Sequence, residues 1–308
     1  MASDQGHADP YHNLLYYDFS TIQFFRYAST MLDLPVRTTG TAMYYYHRFH
    51  HFMSKYKNAP HPRNGQSVHA ALPLHTNEEL LAITCLLLAC KTTDMPRKVR
   101  DLVNVGYRYF HPEEPLLEAD EVYFQMRTSL TTCELMLVRA LDCDLEIELP
   151  FAYCLNVLRA MGAVPFYSSA RPSQTLLKDV WKRMESGMPH EFNVIARLTW
   201  LFVWDSLVSP KIVLNHTTAE IGLGCLYLSL RMTKAEIHMT MSEWVDHWGV
   251  GENVSVQSVR NVAESLMELH DSSAQYLNDH RPICEKLDHS FTNSAADATS
   301  PQTLHQQE

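Results

Sequence analysis

Glycine is scarce in this 308-residue chain, with ten in all. No Gly-rich loop is left to cradle a phosphate, no Gly-x-Ser-x-Gly turn to expose a nucleophilic serine, and no kinase signature appears. Basic clusters are missing as well. No Lys/Arg run exceeds Arg97-Lys98, with Arg100 nearby, and 35 acidic residues outnumber 25 basic ones for a net charge of −10. Binding nucleic acid through its phosphates would work against that charge. The longest apolar stretches, Leu80–Cys90 and Ile221–Leu230, fall far short of the roughly 20 residues a membrane span needs, and the polar Met1–Asn13 offers no apolar core of a secretory signal. A soluble, unsecreted chain is expected. No CxxC pair occurs among the seven cysteines, and six of them sit within apolar helical patterns. They read as free, buried, small hydrophobes of a reducing compartment.

What is abundant is apolar side chains, at 46% of residues, enough for one large core or two ordinary ones of ~150 residues. Leu, Ala and Met recur where Gly does not, so the prior is a mainly helical protein. An internal repeat sharpens it. Thr76-Asn77-Glu78-Glu79 precedes Leu80–Cys90, apolar except for Thr84, and Thr217-Thr218-Ala219-Glu220 precedes Ile221–Leu230, apolar except for Ser229. Each is a Thr-x-x-Glu capping box opening a helix that is hydrophobic all round. Such a helix must be enclosed by others, so two copies predict two bundles. Flanking periodicity supplies the walls: Phe19–Leu32, a face of Ala42, Tyr45, Tyr46, Phe49 and Met53, a helix after Pro96, and Val122, Met126, Leu130, Cys133, Leu137 and Leu141 in the first half. Pro150–Met161, Ile195–Trp204, Met241–Trp248 and Val254–His270 serve the second. The fold class is all-α, two five-helix bundles each around a central buried helix.

Two patterns suggest metal chemistry. His47, His50 and His51 lie at i, i+3 and i+4, a spacing that can aim two imidazoles at a metal, yet no carboxylate or cysteine completes the set nearby and a polar helix edge is preferred. His270-Asp271, with Asp279 and Asp288, is similar to the paired ligands of all-α metal phosphohydrolases, but it falls where the periodicity ends. No catalytic, cofactor-binding or metal residue is assigned.

The densest signal is Leu-Ala-Cys-Lys91 followed by Pro96-Arg97-Lys98-Val99-Arg100-Asp101-Leu102-Val103-Asn104-Val105. Together with the two five-helix bundles, it resembles the cyclin family, and within it the transcription-type members of the L and Q kinds. Arg108-Tyr109-Phe110-His111-Pro112 and Arg127-x-Ser129-Leu130-x-x-Cys133-Glu134-Leu135 are most similar to the Q kind. The resemblance is architectural over residues 19–269 and motif-grade over 44–145. It implies tandem cyclin boxes. It also implies a regulatory subunit, not itself an enzyme and without cofactors, that binds and activates a cyclin-dependent serine/threonine kinase by positioning its αC helix and activation loop. The family's kinase-facing lysine and glutamate fall on Lys91 and Glu134. Thr92-Thr93-Asp94 leaves one acid where relatives commonly carry two, and the Met-Arg-x-Ile-Leu docking motif is absent from residues 22–32.

The expected organisation is a flexible N-terminus (1–17) and a first box (18–146) with a long loop at 54–75. A second box (147–270) with an insertion at 162–190 and a disordered tail (271–308) follow. A nuclear location is implied, with the cytoplasm also open, and neither membrane nor direct nucleic-acid contact is expected. A metal-dependent phosphohydrolase and a cyclin-like general transcription factor gripping DNA are the alternatives.

Overall fold

A computed structural model describes residues 19–58, 77–163, 190–235 and 239–279. The expected N-terminal arm, most of the 54–75 loop, Thr76, the bulk of the insertion, and Cys284 and Asp288 of the tail lie outside the described residues. The chain divides into two compact units, residues 1–265 and 266–308. Among the described residues there is no strand.

The helices of the first half are α1 (Phe19–Met31), α2 (Val36–Asn58), α3 (Glu78–Thr92), α4 (Val99–Phe110) and α5 (Glu121–Ala140). In the second half come α6 (Pro150–Ala163), α7 (His190–Ser206), the short α8 (Pro210–Asn215), α9 (Thr218–Met232), α10 (Met241–Gly249), a 3₁₀ turn (Val250–Glu252) and α11 (Val256–Asp279). Among the described residues, only α11 reaches the second unit, continuing helical to Asp279. It therefore runs past residue 270, where a disordered tail was expected. Helix α2 likewise extends to Asn58, into the expected loop. Helix α8 is unforeseen; its signal is Pro210 at the first helical position behind Ser209.

Both apolar repeats are central helices. In α3 every residue from Leu81 to Cys90 is buried, with α1, α2, α4 and α5 packed around it. In α9 the run Ile221–Leu226 and Leu228–Leu230 is buried against α6, α7 and α10. The lone hydroxyls in these helices cost nothing. Thr84 donates to the Leu80 carbonyl at 2.6 Å and Ser229 to that of Cys225 at 2.8 Å, so no buried polar group is orphaned there. The Thr217 capping box forms as expected, Thr217 Oγ1 accepting from the Glu220 N–H and Glu220 from the Thr217 N–H. Helix α3 is capped by Asn77, its carboxamide oxygen accepting from the Glu79 N–H at 2.9 Å, since Asn is at least as good a cap as Thr and lies one residue nearer the run; Thr76 lies outside the described residues.

Glycine's scarcity shows at the helix ends. Asp33, Asp94, Asp142, Cys143, Lys234 and Asn253 adopt positive φ between 48° and 59°, while no described glycine does. Five of them sit at the position just past a helix end that glycine usually fills. There the next residue's N–H bonds back five residues, as in Leu34→Ser29, Met95→Cys90, Cys143→Val138, Ala235→Leu230 and Val254→Gly249.

Candidate functional site

Helices α3 and α5 pack against each other, and their registers place Lys91 and Glu134 together. Leu130, Cys133 and Leu137 form the buried stripe of α5. With α5 held in that rotation, Glu134, one residue beyond Cys133, is turned towards the C-terminus of α3. Lys91 occupies the last turn of α3, where a cation is favoured by the helix dipole. Lys91 Nζ donates to both Glu134 oxygens, at 2.5 and 2.8 Å. The lysine side chain is 52% exposed and the glutamate only 18%. A carboxylate held by the bundle thus steers a cation that remains at the surface, with Leu87 and Leu137 buried beneath the two helices.

The residues after Lys91 are knitted inward. Thr93 Oγ1 donates to the Ala89 carbonyl at 2.7 Å and lies 2.7 Å from Thr38 Oγ1, so neither threonine of Thr92-Thr93 mimics an outward acid. Arg97 then ties the α3–α4 corner to the end of α1, its guanidinium donating to the carbonyls of Leu32 and Asp33 at 3.0–3.1 Å. Beside this corner Arg37, Thr41, Thr92, Thr93, Leu145, Glu146 and Ile147 line a cleft.

The histidine triplet disperses. His47 is buried, not on a polar edge, and its Nε2 lies 2.8 Å from the Leu207 carbonyl. Burial lowers its pKa from 6.5 to about 4, so it is neutral and donates there. His50 faces Glu78 at 3.2 Å. Among the described residues no group of three or more His, Cys, Asp or Glu is placed to hold a metal ion, and His270 and Asp271 are exposed on α11. Burial raises the thiol pKa of Cys85, Cys154 and Cys225, and that of Cys90 to about 11, which leaves them protonated and unreactive. Cys143 departs from the expected burial and is exposed in the turn after α5.

One link escaped the sequence reading. Arg26 of α1 donates to Asp205 at 2.9 Å, with its guanidinium 5.5 Å from the centroid of the Trp204 ring. With His47 it binds the first five helices to the end of α7. The partners are 179 positions apart, and periodicity carries no signal over that distance.

Residues 20–146 match the model of the cyclin N-terminal domain, so the lysine–glutamate pair lies within an all-α cyclin box. Over that domain the chain is similar to the cyclin family. Its curated relatives are transcription-type cyclins: cyclin-T1-4 of Arabidopsis thaliana, 20% identical over 79% of this chain and 36% of that protein; putative cyclin-T1-1 of the same plant, 29% identical over 70% and 68%; and human cyclin-T2, 27% identical over 80% and 28%. The chain thus spans about a third of the length of several curated relatives it matches. Two solved structures share its fold. The yeast RNA polymerase II CTD kinase complex CTDK-1 aligns with a TM-score of 0.59 at 16% identity, over 88% of this chain and 71% of that one. The CAK complex of Chaetomium thermophilum bound to ATP-γ-S aligns at 0.53 and 12%, over 96% and 81%.

Proposed function

We propose that this chain is the regulatory subunit of a cyclin-dependent serine/threonine kinase, acting in the nucleus as transcription-type cyclins do. The observation that carries the reading is the Lys91–Glu134 pair, set at the surface on two helices whose undersides are locked into the core. It occupies the positions where the family's kinase-facing residues are expected. A protein kinase is productive only when its strand lysine meets the αC glutamate and its activation loop is ordered. A rigid helical face that fits αC in its inward position alone shifts that equilibrium by binding one state better than the other. Moving it from 1:99 to 99:1 takes about 5.5 kcal/mol of preference.

In this role the pair is a prearranged donor and acceptor. Lysine has three N–H groups, and two bonds to Glu134 leave one for a carbonyl of the kinase; the carboxylate keeps lone pairs for a backbone N–H. The purified chain titrated against a panel of purified cyclin-dependent kinases is expected to bind at least one of them and to raise its phosphotransfer rate. Failure to bind or activate any of them would reject the reading.

A further inference from the structure

Resting on that reading, we propose that Tyr45 is a positioning residue for the kinase-facing pair, its hydroxyl holding together the chain ends that follow Lys91 and Glu134. Tyr45 lies in α2, carries neither member of the pair and is fully buried. Its hydroxyl donates to the Leu145 carbonyl at 2.6 Å and lies 3.0 Å from Oγ1 of Thr92. Thr92 is the residue directly after Lys91 and the last of α3. Leu145 belongs to the segment that leaves α5. One phenolic oxygen therefore joins the last residue of α3 to the segment that follows α5, the two helices that present the ion pair.

Proton accounting agrees. A phenol has a single proton, and the shorter contact is to the Leu145 carbonyl; the Thr92 hydroxyl lies within reach of both the Ala89 carbonyl, at 3.3 Å, and the phenolic oxygen, and can turn its own proton to the latter. Burial raises the phenol's pKa above its ordinary value, so the proton stays in place at neutral pH. One turn along α2, Arg48 fastens the same segment, donating to the Asp144 carbonyl at 3.1 Å and to its carboxylate at 2.8 Å. Thr38 meets Thr93 from the start of α2. Helix α2 thus acts as a splint along the edge of the site. Among these α2 side chains, Tyr45 alone touches both ends through one atom. A buried hydroxyl with two partners is an expensive way to fill space, since phenylalanine would pack there without needing either bond.

The test uses Tyr45→Phe in the full chain, which keeps the ring and removes the hydroxyl. Hydrogen exchange followed by NMR reads the isolated protein. Amides of Thr93 and Met95 at the end of α3 and of Cys143 and Asp144 after α5 are expected to exchange at least about tenfold faster, while the cores of both helices hold. Thr92→Val, which severs one side only, is expected to accelerate the α3 end and spare Cys143 and Asp144. Titration against the kinase panel supplies the second readout. Tyr45→Phe is expected to weaken binding about 3- to 10-fold, and Lys91→Met to cost less in the Tyr45→Phe background than in the parent, as groups acting through one another are not additive. Unchanged exchange at both ends, a uniform rise throughout the chain, or additive binding losses would each overturn the proposal. If the parent chain binds no kinase, the functional reading fails, and the exchange pattern still decides whether Tyr45 holds the two ends.

Discussion

An exposed lysine paired with a carboxylate contributes about 0–1 kcal/mol to folding, whereas removing one member of a desolvated charged pair at an interface costs about 2–5 kcal/mol of binding. Lys91 and Glu134 are separable on that contrast. The single reversals Lys91→Glu and Glu134→Lys are expected to lower the melting temperature little and kinase affinity by some 30-fold or more. The double swap re-forms the ion pair with its ends exchanged, so it should recover the parent melting temperature without recovering binding. Recovery of both would mean that the pair serves the fold alone. His47 makes an independent, pH-dependent prediction. Its folded pKa of about 4 lies below the 6.5 of the unfolded chain, so the unfolded state takes up a proton that the folded state refuses. The stability tied to this group is fully present above pH 6.5 and declines as pH falls towards 4, by about 2 kcal/mol between pH 7.5 and 5. Denaturant titrations at those two values should show a smaller loss in His47→Gln, which keeps a donor for the Leu207 carbonyl but cannot titrate. At this scale the sequence reveals residue types but not their surroundings. Motif resemblance alone singled out Lys91 and Glu134, while a histidine in an amphipathic pattern looks the same whether it ends in solvent or against a buried carbonyl.

Among the elements, α3 and α9 were the most legible because a helix apolar on every side has one place to go. Leu87, buried in α3, is expected to cost about 2–5 kcal/mol when cut to alanine, since the enclosing helices cannot collapse onto the cavity; chemical denaturation measures it, and a neutral result would contradict the central placement. Gly106 reports the same packing from the other side. A Cβ there would stand 2.3 Å from Ile83 Cδ1, so α4 lies against α3 with no room for a methyl. Gly106→Ala is expected to destabilise by about 1–3 kcal/mol through overpacking. What the pattern misjudged was where helices begin and end. Helix α3 is capped at Asn77, one residue on from the expected cap, and α11 outran its apolar face because polar residues can extend a helix that packing has already nucleated.

The whole molecule joins two helical sets through polar links that no local pattern announces, Arg26 to Asp205 and His47 to Leu207. Such pairings follow from the tertiary arrangement, and only the resemblance to a family with tandem boxes gave a reason to expect the sets side by side. The net charge of −10 belongs to this scale too. A DNA titration at about 50 and 200 mM salt should show no specific binding at either, in contrast to a protein that neutralises phosphates and loses affinity steeply with salt. Retained DNA binding in the nanomolar range would favour the transcription-factor alternative.

The left-handed residues at the helix ends bear on how this chain can change over evolutionary time. Three of the six are aspartates, and a single base change converts an aspartate codon to a glycine codon. Each such change relieves a backbone penalty of about 1 kcal/mol, partly offset by the greater freedom glycine brings to the unfolded chain. The protein therefore has close at hand, in sequence space, several surface substitutions that are neutral or mildly stabilising. A lineage that acquired them could tolerate a costlier mutation on the α3–α5 face, and so a new kinase partner, without falling below the threshold for folding.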